Sequence, residues 1–262
     1  MFEYIFRLTQ RKKNKELKEY LLTGSFEPMR QFLDMDEKSQ RFFLKDISSN
    51  EELIQVLTKP HNPAGHSLMS RLNDTLAREV LERMQTYDEF RRLLIFSRNN
   101  AGQTDFYYLS PELQNMVLER IGKNENVIHF IRSFNDRQRH TVFYYLDQEQ
   151  QNKLMDQMKH VKQLFSLLTG VKDEFGHTDF HYLTNEQKLQ AVMRMENPYQ
   201  VFDLFRSNED KYGKYSFYHM PYHNFKRIVF EKFPQMNSLF HKKIRHNATL
   251  EKLKDTQHIH EG

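Results

Sequence analysis

The chain has 262 residues, 38% of them hydrophobic, and a formal net charge of +4 at pH 7. It contains no cysteine, which excludes disulfides and thiolate metal sites and fits a reducing compartment, so we expect a cytoplasmic protein. No apolar run approaches the roughly 18 residues that a membrane-spanning helix needs, and we therefore expect no membrane span. Eight glycines and seven prolines favour helices over many tight turns.

Residues 1–34 are predicted to form an N-terminal cap. The opening MFEYIFRLTQRKK places its apolar residues before its charges, the reverse of the order in a signal peptide. Two amphipathic pieces, EYIFRL and KELKEYLLTG, then precede the first regular unit. Together they look like a divergent first unit that closes one end of a repeat protein.

A repeat of 37 residues begins near Met35. The strings AGQTDFYYL (101–109) and FGHTDFHYL (175–183) lie 74 residues apart, which is twice 37. The marker column at this interval is Met35, Leu72, Leu109, Leu146, Leu183 and Met220. Three positions earlier stand Phe32, Met69, Phe106, Phe143, Phe180 and Phe217, and twelve positions later stand Ile47, Met84, Ile121, Met158 and Met195, with a one-residue shift to Phe233. Columns that hold one register through five units indicate a repeat protein.

Each unit reads as a pair of helices. A residue suited to cap a helix follows the marker in four units, namely Asn73, Ser110, Asp147 and Thr184. Pro111 suits a first helical position, and Thr184 with Gln187 has the spacing of a capping box. Apolar residues at spacings of three and four mark the first helix, and a more widely apolar second helix follows a short polar break.

The predicted fold is all-α, an α-solenoid of stacked helix-pair repeats with a period of 37 residues. We predict one helical-repeat domain over residues 1–245, with repeats that start near 35, 72, 109, 146, 183 and 220, and a frayed tail over 246–262. A loop column holds Gly65, Gly102, Gly176 and Gly213, with Arg139 as the exception. We therefore expect a positive φ at that loop position.

One copy of the recurring phrase resembles the ankyrin-repeat signature, in which an Asp precedes G-x-T-P-L-H-x-A. The matching residues in DEFGHTDFHYL are Asp173, Gly176, Thr178 and His181. Residues 102–109 and 139–146 resemble the signature less closely. The resemblance implies stacked helix pairs, a concave protein-binding face, no catalysis and no cofactor. The period differs from the 33 residues of ankyrin, and the helix starts LSPEL and LTNEQ also resemble armadillo or HEAT solenoids.

Two adjacent columns before the marker residue are aromatic in four units. They read Tyr107–Tyr108, Tyr144–Tyr145, His181–Tyr182 and Tyr218–His219. Adjacent residues in a turn cannot all face one core, so we expect one column to pack inward and the other to form a ladder of rings. Tyrosine is enriched at binding hot spots, which makes this ladder the candidate binding site. The alternative is that both columns only brace the joints. Loop tips of differing charge, at Arg98, Arg137 and Asn208, are a second candidate.

The sequence favours a non-catalytic scaffold that binds another protein. It lacks G-x-S-x-G, a phosphate-cradling glycine loop and H-E-x-x-H. His177 and His181 are four residues apart but cross a predicted loop, so we assign no metal and no cofactor. A cysteine-free solenoid also suits a secreted effector that acts on a host protein in the cytosol of a host cell. The oligomeric state is left open.

Two alternatives come from other classes of function. One is a nucleic-acid-binding α-solenoid that stacks Tyr and His rings on bases and uses the basic ends near 11–18 and 241–246. Salt dependence separates it from a protein scaffold, because phosphate contacts weaken steeply with ionic strength. The other is an enzyme whose site is assembled across units, which predicts a pocket lined by acids or His with shifted pKa values.

Overall fold

The computed structural model describes residues 2–122, 124–133, 135–207, 227 and 229–234. All regular elements in these ranges are helical, apart from two isolated bridges, and the all-α prediction is confirmed. Contacts divide the chain into two compact units, Met1–Gln157 and Met158–Gly262. The predicted single domain over 1–245 stays a prediction, and most of the sixth repeat and the whole predicted tail fall outside the described residues. None of the described helices combines the length and the apolar character needed to cross a bilayer.

The first unit opens with one long helix and continues with helix pairs separated by short helical joints. Its elements are α1 (Phe2–Leu21), α2 (Phe26–Leu33), α3 (Glu37–Asp46), α4 (Asn50–Thr58), the 3-10 turn η1 (Met69–Arg71), α5 (Asp74–Arg83), α6 (Tyr87–Leu94), the 3-10 turn η2 (Asp105–Tyr108), α7 (Pro111–Ile121), α8 (Asn124–Ser133), α9 (Val142–Tyr145) and α10 (Gln148–Gln157). The second unit contains α11 (Val161–Thr169), α12 (Asp179–Tyr182), α13 (Asn185–Met193) and α14 (Pro198–Ser207). The first piece predicted near the N-terminus and most of the second belong to the single helix α1, which ends at Leu21, three residues before the second piece does.

Two series of helices start at a constant interval. The first helices of the pairs begin at Glu37, Asp74, Pro111, Gln148 and Asn185, each 37 residues after the last. The second helices begin at Asn50, Tyr87, Asn124, Val161 and Pro198, at the same interval. The joints η1, η2, α9 and α12 each end one residue before a marker Leu, so the sequence period and the helix starts coincide. A repeat below means one such 37-residue period.

Capping side chains explain where the first helices begin. The side chains of Asn73 and Asp147 each accept a backbone N–H from the first turn, at 2.9 and 2.8 Å. Thr184 and Gln187 form the predicted capping box. Ser110 was expected to cap α7, but its side chain makes no capping bond. The proline that follows it has no N–H and fixes φ near the helical value, which favours the same start.

The predicted columns form the core. The column before the marker is buried at Phe32, Met69, Phe106, Phe143 and Phe180. The later column is buried at Ile47, Met84, Ile121, Met158 and Met195, and Phe233 is buried as well. The marker column is buried at Leu109, Leu146 and Leu183, and is half-buried in the two earlier repeats. Each fully buried Phe or Leu side chain stabilises the fold by about 1.5–3 kcal/mol.

A cation at the end of each of several first helices binds the helix one repeat earlier. Arg83 donates to two carbonyls at the end of α3, at 2.8 and 2.7 Å, and Arg120 donates to three at the end of α5. In the second unit, Arg194 donates to the carbonyl of Met158, and Lys232 donates to carbonyls at the end of α13. The last carbonyls of a helix lack intrahelical partners and carry partial negative charge, so these bonds hold neighbouring helices in register.

Candidate functional site

The loop after the second helix has one hydrogen-bonded form in four repeats. Its first residue is an Asn or Asp whose side-chain oxygen accepts the backbone N–H four residues later, at 2.8 or 2.9 Å. Its own carbonyl accepts the N–H three residues later. The four residues are Asn62, Asn99, Asp136 and Asp173. Asn and Asp favour such turns because a short polar side chain mimics a backbone acceptor.

The fourth position of these loops has a positive φ. The angle is 79° at Gly65, 81° at Gly102 and 87° at Gly176, which confirms the predicted glycine column for the described repeats. Arg139 adopts the same conformation, with φ 68°, at a steric cost of roughly 1–2 kcal/mol. A Cβ added to Gly102 would lie 2.9 Å from the backbone nitrogen of Arg137. Glycine therefore also allows the next loop to approach closely. Gly213 lies outside the described residues.

Successive loops of the first unit contact each other at their tips. Asn100 donates from its backbone and side-chain nitrogens to carbonyls in the loop 62–66, at 2.8 and 2.7 Å. Arg98, one of the predicted tips, donates to two carbonyls in 133–135, at 3.1 and 3.4 Å, and so links two repeats. Arg137 is exposed, and the third predicted tip, Asn208, lies outside the described residues.

The joints place a continuous chain of aromatic rings beside these loops. In the first unit, rings meet at centroid separations of 4.1–5.3 Å in the order His66, Tyr108, Tyr107, Tyr145, Tyr144 and His140. We call these six side chains the aromatic edge. The step from Tyr107 to Tyr145 is an edge-to-face contact at 4.9 Å, and it joins rings of successive repeats.

Neither tyrosine column packs inward, contrary to the expectation that one of them would. Tyr107 and Tyr108 are each 37% exposed and Tyr144 is 36% exposed, while Tyr145 is half-buried. The inward position belongs to the residue before them, such as Phe106, which is 2% exposed. A single helical turn sends one side chain into the core and leaves the next two rings on the outside, so both columns contribute to the edge.

Hydrogen bonds to the loops fix the second tyrosine column. The hydroxyls of Tyr145 and Tyr182 donate to the Asp that closes the loop nine residues earlier. In the preceding repeat, the amide of Asn99 donates to the Tyr108 hydroxyl at 2.5 Å. The hydroxyl of Tyr107, in the first column, has no hydrogen-bond partner among the described residues. It is therefore a polar group to which a binding partner could bond.

The second unit holds an equivalent cluster with two histidines. The rings of His177 and His181 stack at 3.7 Å with 11° between their planes, and Tyr182 contacts both. Within the described ranges, no group of three or more His, Asp or Glu side chains is arranged to hold a metal ion. The remaining predicted ladder residues, Tyr218 and His219, lie outside the described part of the chain.

An Asp–His–Tyr cluster supports one loop from inside. The side chains of Asp136 and His140 are only 6% and 7% exposed, and His140 Nδ1 lies 3.0 Å from Asp136 Oδ2. Burial pushes the pKa of Asp136 upward, but hydrogen bonds from Tyr145 and His140 outweigh it, so its pKa is lowered. Burial, together with the bond to Asp136, raises the pKa of Tyr145. Because Asp136 and His140 are so enclosed, the cluster is suited to hold the loop rather than to meet a substrate.

Asp105 is a buried carboxyl in the joint below the aromatic edge. It is 3% exposed, and its Oδ1 accepts a hydrogen bond from Ser67 at 2.5 Å. Burial raises the pKa of Asp105 to about 8. The group is therefore mostly protonated at neutral pH, and it contributes little negative charge to the surface above it.

Exposed arginines lie in the three segments that form the aromatic edge. The segments 59–72, 96–109 and 133–146 carry four exposed arginines, here called the edge arginines: Arg71, Arg98, Arg137 and Arg139. None of the four forms an ion pair among the described residues. The acids in these segments are Asp105 and Asp136, whose side chains are buried. The edge is therefore aromatic and positively charged.

The tyrosines of this site are predicted by the sequence, but the role of the residues that hold them is not. Asn62, Asn99, Asp136 and Asp173 recur at intervals of 37, and so do His66, His140 and His177, with Gln103 between them. The same count that located the apolar columns locates these polar ones. Their role was not visible because Asn and Asp in a loop usually serve only local turns.

Comparison of the chain with protein-family models, with curated proteins and with solved structures finds no match. The described fold defines an all-α protein built of short helices. Its candidate site is the surface formed by the aromatic edge, the four edge arginines and the loops that support them.

Proposed function

We propose that the chain is an α-solenoid of 37-residue helix-pair repeats. The constant interval between helix starts supports this architecture. So do contacts between equivalent helices of neighbouring repeats, α3 with α5, α5 with α7 and α4 with α6 in the first unit, and α11 with α14 in the second. Such repeats bury a continuous core by stacking, and each touches mainly its neighbours. The resemblance to ankyrin repeats is part of this proposal, because the residues that resemble the ankyrin signature lie in a loop and in the joint that follows it.

The solenoid acts as a non-catalytic scaffold that binds another protein through the aromatic edge. The observation that carries this proposal is the unbroken chain of rings, which crosses three loops and whose tyrosines are about one-third exposed. Rigidly held tyrosines give a partner large contact area and polar tips at a small cost in side-chain entropy. Loops that are closed by Asx hydrogen bonds and tied to their neighbours supply that rigidity.

A nucleic acid is the second candidate partner, since the edge arginines form no ion pair among the described residues. Stacking of bases requires open ring faces. Here His140 covers one face of Tyr144 at 4.1 Å, and the other rings of the edge meet edge to face. The rings are thus packed against one another, which favours a protein partner over stacked bases.

Affinity capture from lysates, with and without nuclease, tests the proposed function. The wild type is compared with Tyr107→Ala/Tyr144→Ala and with a control that loses two exposed tyrosines outside the edge, Tyr20→Ala/Tyr199→Ala. The control residues are 60% and 69% exposed, on α1 and α14. Circular dichroism checks that all three proteins are folded.

We expect a protein that is captured by the wild type and the control, lost by the edge variant and unaffected by nuclease. Equal capture by all three folded proteins would mean that the rings only brace the joints. Capture that disappears after nuclease treatment would instead support the nucleic-acid alternative, because the phosphate backbone would then be the bound species.

A further inference from the structure

Charged residues on the helix faces of the first unit form ion pairs between neighbouring repeats. Arg78 lies 2.7 Å from Glu112, and Arg92 lies 2.5 Å from Glu51. Arg41 and Lys153 form similar pairs with acids of adjacent helices. Each of these four cations has an acidic partner in a neighbouring repeat. Such exposed pairs add little stability, but they partly cancel the charge that these four cations could offer to a partner.

The edge arginines form no such ion pairs among the described residues. Arg98 donates to backbone carbonyls, which are neutral, so its charge is not cancelled. Arg137 and Arg139 belong to the loop 136–140 and are exposed there. Arg71 is exposed at the end of η1. The pKa of His66 is lowered mainly by burial of its ring, and the positive charge of Arg71 lowers it further. Together the edge arginines give the edge four positive charges that no ion pair among the described residues balances.

The acids that share these segments with the arginines cannot supply the missing charge. Asp136 is enclosed and accepts hydrogen bonds from His140 and Tyr145. Asp105 is buried in the joint, where it is 3% exposed, and accepts a hydrogen bond from Ser67. Both carboxyls are engaged inside the fold. The edge therefore offers arginine donors and a Tyr107 hydroxyl, and no acidic side chain within these segments is exposed.

We propose that the aromatic edge binds an acidic segment of a partner protein, whose carboxylates pair with the edge arginines while its other side chains pack on the exposed tyrosines. Arg is suited to this role because its planar guanidinium can bind a carboxylate through two parallel hydrogen bonds. Arginine and tyrosine are also the residues that most often dominate protein interfaces. This inference rests on the proposed function and adds the chemistry of the partner.

Fluorescence anisotropy with defined probes tests this inference. The probes are an acidic peptide of alternating Glu and Gly, about 12 residues long, the same peptide with Gln for Glu, and an oligothymidylate of similar length, all at low ionic strength where charges are least screened. The edge variant is Arg71→Gln/Arg137→Gln/Arg139→Gly. Glycine is used at the third position because neighbouring repeats carry glycine at the same positive φ. Arg98 is kept because it links two loops.

The matched control is Lys12→Gln/Lys13→Gln/Lys15→Gln, which removes the same number of positive charges from exposed positions on α1. We expect the wild type and the control to bind the Glu peptide at least ~10-fold more tightly than the Gln peptide, and the edge variant to lose most of that difference. Equal losses in both variants would show that binding reflects overall charge only, which overturns the inference. Tighter binding of the oligothymidylate through the same arginines would overturn it in favour of a nucleic acid.

Failure of this inference is distinguishable from failure of the proposed function. If the protein binds the Glu and Gln peptides equally well but tyrosine-dependent capture from lysate persists, the partner is a protein that is not acidic. The scaffold proposal then stands. If tyrosine-dependent capture is absent as well, both proposals fail.

Discussion

The helix faces and the loop edge of the first unit use arginine in opposite ways. On the faces, Arg78 and Arg92 pair with glutamates of the neighbouring repeat. At the edge, Arg137 and Arg139 are exposed without an acidic partner, and the nearest carboxyl in sequence, Asp136, is buried. The paired arginines of the faces are therefore engaged within the chain, whereas these two arginines of the edge are not. The contrast is the reason for placing the proposed interaction surface at the edge.

The largest expected effect on stability distinguishes a buried residue of a joint from a partly exposed one. Leu146 is 5% exposed, and Leu146→Asp would bury an unpaired charge, so we expect it to cost about 4 kcal/mol or more of unfolding free energy. Tyr144→Ala, two residues earlier and partly exposed, should cost about 1 kcal/mol or less. Urea denaturation measures both values. Similar effects for the two variants would show that the edge is as much part of the core as the marker column.

The second prediction concerns the buried acid of the edge segments. The folded pKa of Asp105 is about 8, above its ordinary value of 3.8, so the folded state retains a proton that the unfolded state releases. The stability of the wild type relative to Asp105→Asn should therefore fall as pH rises from about 4 to about 8, by up to about 1.4 kcal/mol per pH unit, and level off above that range. Urea denaturation across this pH range measures the difference. A difference that does not change with pH would mean that Asp105 is already ionised at neutral pH.

A smaller effect compares two arginines of the helices. Arg120 donates to three carbonyls at the end of α5 and lies 5.4 Å from the centre of the Phe90 ring, so Arg120→Gln should destabilise by about 1–2 kcal/mol. Arg78→Gln removes an ion pair with the exposed Glu112 and a weak contact with the Met116 sulfur, and should cost less than about 0.5–1 kcal/mol. Thermal and urea unfolding of the two variants give the comparison. The opposite order would mean that ion pairs on the faces, rather than the helix-end bonds, hold the repeats together.

The smallest effect tests whether an edge residue is kept at the expense of stability. Arg139 has the positive φ that neighbouring repeats give to glycine, so Arg139→Gly should stabilise the fold by about 0.5–1 kcal/mol. A shift of the urea midpoint to higher concentration would show this. Loss of stability would instead indicate that the Arg139 side chain makes contacts that support the loop.

The period of 37 residues allowed much of the helical layout to be predicted. Apolar residues repeat along the chain because each repeat must bury the same face, and this regularity placed the buried columns through Phe32, Ile47 and their successors. Local chemistry predicted the helix starts at Asn73 and Thr184. Such features depend on neighbours in sequence, which is why they are visible without a structure.

The arrangement of the edge could be predicted only in part. The tyrosine columns were found, but their direction depends on how a single helical turn orients three consecutive side chains, and the sequence pattern does not encode that rotation. The bonds of Arg98 and Arg120 to carbonyls of other repeats were also missed. Every residue has a backbone carbonyl, so a bond to a carbonyl requires no particular residue type in the accepting segment. Such bonds therefore leave no pattern in that part of the sequence.

Hydrogen–deuterium exchange of the full chain, with and without the Glu peptide, tests most directly whether the edge is the interaction surface. We expect slower exchange in segments 62–72, 99–109 and 136–146, where the loops and joints would be covered, and unchanged exchange in α1 and along the helix faces. Protection that is confined to the helices, or that is absent at these segments while the peptide is bound, would contradict this expectation.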